Sequence, residues 1–181
     1  MGSRPLHPLD AIHRELSDIA AALPRGEAAA LAGAVRDARR VFVSGMGRSG
    51  LMVRAFAMRL MQLGVTVYVV GDTTTPSIAK GDLLVVGTRY GRSGSLSHHV
   101  DIARREGARI AVVTMGPGSP LALAADIVAT IPVAGGGPSK QPLGTLFEQS
   151  LLVYLDAVVL LLKRMLHKTE KAMRKRHTNL E

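Results

Sequence analysis

The sequence predicts an α/β fold: a three-layer αβα sandwich on a five-stranded parallel sheet, with an N-terminal helical arm and a long C-terminal helix. Three observations predict it. From Arg40 onward, short aliphatic runs alternate with amphipathic helical stretches joined by short links. The runs are near-continuously apolar, as in parallel strands covered on both faces. The segments that follow them are rich in Gly, Ser and Thr, and ligands of such sheets bind at the carboxyl ends of the strands.

In chain order, residues 9–38 carry apolar groups at helical spacing. Ile12, Leu16, Ile19 and Ala20 share one face, Pro24-Arg25-Gly26 breaks the pattern, and Leu31, Val35 and Ala38 resume it in a second helix. Residues 1–39 are therefore expected to form an arm laid against the main domain or another subunit, with residues 40–181 as the domain itself. Strands are expected at Val41–Ser44, Val65–Val70, Leu83–Gly87, Arg109–Thr114 and Ile127–Ile131, and helices at Ser49–Leu63, Leu96–Glu106 and Ser119–Ala125. The strand ends Ser44–Ser49, Gly71–Thr75, Gly87–Ser95 and Thr114–Ser119 are the expected ligand-facing loops. Ala134–Lys140 reads as a mobile Gly/Pro loop. A helix from about Leu143 to Met165 follows, apolar over much of its circumference and hence expected to be buried, within the fold or between subunits.

At 181 residues and 47% hydrophobic, the chain suffices for one domain with a substantial core and is too apolar for general disorder. It has no Cys, which excludes disulfides and thiolate–metal chemistry. The first ten residues lack the apolar stretch of a signal peptide, and Leu151–Leu162 is interrupted by Asp156 and too short to span a bilayer. The expectation is a cytoplasmic protein with no membrane partner. The formal net charge of +9 would suit nucleic acid, but 3% aromatic residues leave little to stack on bases. Solvated helix faces that attract small anionic substrates account for the charge better.

Val41–Gly50 (VFVSGMGRSG) is a short strand, a Gly/Ser turn and a helix start. That arrangement aims backbone N–H groups and a helix N-terminus at an anion. No Gly-Lys-Ser/Thr follows, so it is not a Walker loop. Gly71-Asp72 after the next strand keeps a nucleotide reading open, and an ordinary strand-to-helix turn would look the same.

Longer motifs narrow the choice. SGMGRSG, AFAMRLMQLG, VVGDTTTPSI and KGDLLVV resemble the sugar isomerase (SIS) domain family, whose fold is flavodoxin-like. PGSPLALAAD, QPLGTLFEQSLLVYLDAVV and the terminal RHTNLE resemble its 6-phospho-3-hexuloisomerase subfamily, and the resemblance runs from about Val41 to Glu181. It implies a phosphorylated sugar as ligand, dimers or tetramers with sites near subunit interfaces, and no metal or organic cofactor. The implied reaction moves a carbonyl between C3 and C2 of a hexulose 6-phosphate by way of a cis-enediolate, in the ribulose monophosphate route of formaldehyde assimilation. One carboxylate can take the C2 proton and return it at C3, given a dry pocket.

The resemblance assigns that role to Glu148; the plainer reading is a first-turn acid favoured by the helix dipole. It makes His177 in the tail a candidate acid or oxygen polariser, with Asn179 to position it, for this subunit or a neighbour. Phosphate and substrate contacts are expected from Ser44, Gly45, Gly47, Arg48 and Ser49 in the first loop, and from Thr88, Gly91, Arg92 and Ser93 in the second. The second loop departs from the family's Ser-Gly-Ser-Gly-Glu-Thr: it reads Thr88-Arg89-Tyr90-Gly91-Arg92-Ser93. Side chains replace close-approach residues, while Arg89 or Arg92 can grip a phosphate bidentately. Gln62 stands where a His is common, and of the adjacent His98 and His99 at most one can face the site. Two further readings stay open: an isomerase of another ketose or aldose phosphate, and a non-catalytic phosphosugar-binding module.

Overall fold

A computed structural model describes residues 6–132 and 138–180 of the chain. The expected Ala134–Lys140 loop thus falls partly outside the described residues. Its last two residues are held in place: Glu15 accepts from the Ser139 hydroxyl at 2.9 Å and the Lys140 amide at 2.7 Å.

The strands are β1 (Val41–Gly45), β2 (Val67–Val69), β3 (Leu83–Gly87), β4 (Arg109–Thr114) and β5 (Ile127–Thr130). They pair in parallel in the order β2-β1-β3-β4-β5. Alternation along each strand divides the core in two. Val41, Val43, Leu83, Val85, Ala111 and Val113 face one layer of helices. That layer contains α2 (Arg25–Asp37), α3 (Gly47–Leu63) and α6 (Thr145–Met165). Phe42, Leu84, Val86, Ile110 and Val112 face the other, against α4 (Gly94–Arg105) and α5 (Pro120–Leu123). Both faces are covered, which is why the strands read as unbroken aliphatic runs.

The arm consists of α1 (Pro8–Ala22) and α2, and both helices pack on α6 of their own chain. Ile19, Leu31, Ala32 and Val35 are buried there, and Glu27 accepts the Thr130 amide of β5 at 2.5 Å. By length and apolarity alone α6 could cross a membrane. Its Leu151, Tyr154, Leu155, Val158 and Leu162 are instead buried inside the fold, so it is a core helix. A short α7 (Glu170–Arg174) forms in the basic tail, where no helix is expected from the residue pattern, and lies against α3.

Three glycines set how closely these layers approach. A Cβ on Gly50 would sit 2.6 Å from the Gly45 carbonyl oxygen, and one on Gly87 would sit 2.7 Å from Val53 Cγ1. The start of α3 therefore crosses directly over the ends of β1 and β3. A larger residue at Gly50 would displace backbone, and one at Gly87 would displace the Val53 and Leu151 side chains.

Candidate active site

The strand order reverses direction between β1 and β3, and the chain leaves the two strands toward opposite layers. A crevice opens at the carboxyl ends of such a pair. Here it is a cavity of about 310 Å³ lined by Met46 and Ser49 of the first loop, Gly87 to Tyr90, Arg92 and Ser93 of the second, and Leu96. Two helix N-termini border it, those of α3 and α4, each presenting unpaired N–H groups and the positive end of a dipole. The Ser93 hydroxyl caps α4 by accepting from the Leu96 amide at 3.5 Å. Its own proton remains available to an anion in the cavity.

Glu148 occupies the first turn of α6; neither it nor Arg48 is among the residues that line the cavity. Glu148 Oε2 accepts from Arg48 Nε at 2.5 Å, and the glutamate side chain is 14% exposed. A Cβ built on Gly144 would lie 3.3 Å from Glu148 Oε1 and 3.7 Å from Arg89 Nη1. Gly144 thus has the Glu148 carboxylate and the cavity-lining Arg89 as neighbours. One oxygen is engaged, and Oε1 has no hydrogen-bond partner among the described residues. Arg48, expected to hold phosphate or a substrate oxygen, gives its Nε to this carboxylate.

The remaining expected residues separate into two groups. Ser49, Thr88, Arg92 and Ser93 line the cavity. Ser44, Gly45, Gly47 and Gly91 are not among the lining residues, and each has a visible structural task. Ser44 is buried with its Oγ 2.9 Å from His99 Nδ1. Gly45 is pressed against Gly50 and Gly87, and Gly47 turns the chain into α3 with a φ of +54°. Gly91 has a φ of +62°, and a Cβ there would overlap the Ser119 hydroxyl at 2.0 Å. Thr88 Oγ1 also accepts the Gly91 amide at 3.2 Å, which folds the second loop back on itself.

His177 is distant from Glu148 within one chain. The Arg176 guanidinium lies beside Gly64, at the C-terminus of α3, whereas Arg48 is at the N-terminus of that helix. The helix between them is roughly 25 Å long. Gln62 sits at the same far end, buried and accepting from Arg59 Nη1 at 2.8 Å. A histidine in its place would not touch this chain's own cavity. Of the two histidines on α4, His99 is the one that turns inward, and burial first, then His98, pushes its imidazole below the usual range.

Sequence reasoning singled out none of Met46, Gly87, Tyr90 and Leu96 among the lining residues, and named Arg89 only as an alternative to Arg92 for gripping a phosphate. Arg89 Nη1 donates to the Leu143 carbonyl at 2.7 Å, and its guanidinium lies 4.7 Å from the Tyr90 ring centre. The spacing Leu96, Val100, Ala103 along α4 could have placed His99 beside the buried face.

Comparison with known proteins agrees with this architecture. The SIS domain family model matches residues 34–155. A 3-hexulose-6-phosphate isomerase of Mycobacterium gastri is 43% identical over 178 residues, covering 96% of this chain and 89% of the relative. The enzyme of that name from Bacillus subtilis is 37% identical, covering 94% and 95%. A crystal structure of a protein from Methanococcus jannaschii, for which a 3-hexulose-6-phosphate isomerase function was inferred, superposes with a TM-score of 0.87 at 31% identity, covering 97% of this chain and all of that one.

Proposed function

The chain belongs to the SIS domain family, and from that premise we propose that it is a cytoplasmic isomerase that interconverts D-arabino-hex-3-ulose 6-phosphate and fructose 6-phosphate. The single observation that supports the mechanism is the Glu148 carboxylate, with one oxygen held by Arg48 of the first loop and the other without a hydrogen-bond partner among the described residues.

In the hexulose-to-fructose direction, Glu148 Oε1 takes the proton from C2, and the carbonyl at C3 gains the electron pair as an enediolate oxygen. The proton is returned at C3, while the O2 proton passes to O3 as the C2 carbonyl forms. One base on one face suffices because the intermediate is a cis-enediolate. The phosphate lies against Ser49, Ser93, Arg92 and the N-termini of α3 and α4, where amides, hydroxyls and a guanidinium converge on the cavity. No external oxidant or reductant is needed, since no net oxidation occurs.

His177 enters this scheme from another subunit. What supports that is its position one helix length from its own chain's Glu148. The outer faces of the adjacent helices α3 and α6 also carry exposed Leu51, Met58, Val153 and Leu160, a surface suited to a second copy of the chain.

Purified protein given enzymatically prepared hexulose 6-phosphate should form fructose 6-phosphate, and Glu148→Gln should lower kcat roughly 10³-fold or more. Absence of turnover by the wild type, or turnover that survives Glu148→Gln, would sink the reading. The role across subunits has its own test. Mixing Glu148→Gln chains with His177→Ala chains should restore activity that neither variant has alone. A mixture no more active than its parts rejects the shared site.

A further inference from the structure

The geometry points to Arg89 as a positioning residue for Glu148, a strut between the sheet and the first turn of α6 rather than a phosphate ligand. The inference rests on the reading of Glu148 as the base. Arg89 is held at both ends. At its backbone, the carbonyl oxygen accepts from the Thr114 hydroxyl at 3.1 Å and the Met115 amide at 3.2 Å, which fixes it to the end of β4. At its side chain, Nη1 donates to the Leu143 carbonyl at 2.7 Å.

Leu143 is where such a strut is needed. Its φ of +54° is one that L side chains rarely adopt, and its side chain is 93% exposed, so packing contributes nothing to holding it there. The next residues start α6: Thr145 donates from both amide and hydroxyl to the Pro142 carbonyl, and the Glu148 amide donates to Gly144. The bond from Arg89 therefore fixes the turn from which the catalytic carboxylate projects. The flat guanidinium is also stacked near Tyr90, and its Nε is buried without a hydrogen-bond partner among the described residues. An edge so shielded is poorly placed to make the bidentate grip that a phosphate would require. The three site arginines then divide the work. Arg48 orients the carboxylate, Arg89 orients the turn that bears it, and Arg92 remains in the cavity for the anion.

The test compares Arg89→Ala, Arg89→Lys and Arg92→Ala by steady-state kinetics and by amide hydrogen exchange. Displacing a reacting group by about 1 Å can lower a rate about 10²-fold. Arg89→Ala should accordingly lower kcat about 10- to 100-fold with KM within about threefold. Lysine, which can still reach a carbonyl, should recover part of the loss. Arg92→Ala should do the reverse and raise KM. Exchange at the Thr145 and Glu148 amides should quicken at least about tenfold in Arg89→Ala and stay unchanged in Arg92→Ala. A raised KM with kcat retained in Arg89→Ala, or unaltered exchange at those amides, overturns the inference. If the wild type turns over no hexulose 6-phosphate, the activity reading fails, and exchange alone decides whether Arg89 is the strut.

Discussion

The two ends of the sheet each bring a carboxylate to arginine, and they use it differently. At the amino end, Asp82 precedes β3 and its side chain is fully buried. Both of its oxygens are filled, by Arg39 and Arg40 just before β1 and by the Ala79 amide, in five hydrogen bonds. At the carboxyl end, Glu148 has one guanidinium on one oxygen, and that arginine is 60% exposed. A saturated carboxylate fastens two neighbouring strands and has no lone pair left for chemistry. A half-saturated one is oriented and still able to take a proton. On the role proposed for Glu148, the number of donors on an acid separates a structural site from a reactive one, more than the presence of an arginine does.

The sharpest way to break the comparison is to neutralise each acid and ask what is lost. Glu148→Gln should remove turnover while leaving the urea midpoint almost unchanged. Asp82→Asn should leave kcat of the folded protein near wild type and lower stability by about 2 kcal/mol, because several charge-assisted bonds lose their charged acceptor. The pH dependence follows from the sign of the shift. Burial alone would raise the Asp82 carboxyl, but Arg40, the Ala79 amide and Arg39 more than offset it and hold it below the usual carboxylate range. A depressed folded value means that this stabilisation is complete above the unfolded value, about pH 4, and is lost as pH falls through the folded one. The stability gap between wild type and Asp82→Asn should therefore narrow below about pH 4. Urea titrations at pH 7 and pH 3.5 measure it, and a gap that widens on acidification refutes the assignment.

The same contrast explains how much could be read from the residues. The layers, the parallel sheet and the break between α1 and α2 were legible because they follow from apolar periodicity, a local property. The boundaries were less so. The run Val65–Val70 yields a strand of only Val67–Val69, and Ser119–Ala125 shortens to Pro120–Leu123. The helix expected from Leu143 starts at Thr145, because Leu143 takes a left-handed turn. The family and its activity class were legible through the motifs. The wiring of the site was not. Arg48 meets Glu148 a hundred positions away, and Arg89 meets the Leu143 carbonyl fifty-four away. Such pairings depend on which layer each loop is carried to, and composition carries no trace of that.

The smallest expected effect probes a hydroxyl rather than an acid, and it tests the comparison where the two ends of the sheet cannot. Ser44 and Ser49 stand five positions apart in one loop and look equivalent in sequence. Ser49 lines the cavity, whereas the Ser44 hydroxyl is buried and shared with His99 Nδ1 at 2.9 Å, tying the end of β1 to α4. By the saturation argument Ser44 is structural and Ser49 is free. Ser44→Ala should then cost about 1 kcal/mol of stability, the usual worth of one such bond, and leave KM within about twofold. Ser49→Ala should weaken substrate binding with little change in stability. The penalty for Ser44→Ala should be read above pH 7. His99 is held below its usual range, chiefly by burial, so the stability that depends on its neutral form is full above the unfolded value near 6.5 and is lost as pH falls through the lower folded value. Should Ser44→Ala instead raise KM about tenfold at unchanged stability, the hydroxyl serves the phosphate after all. Counting donors on a group would then be no guide to what it does in this crevice.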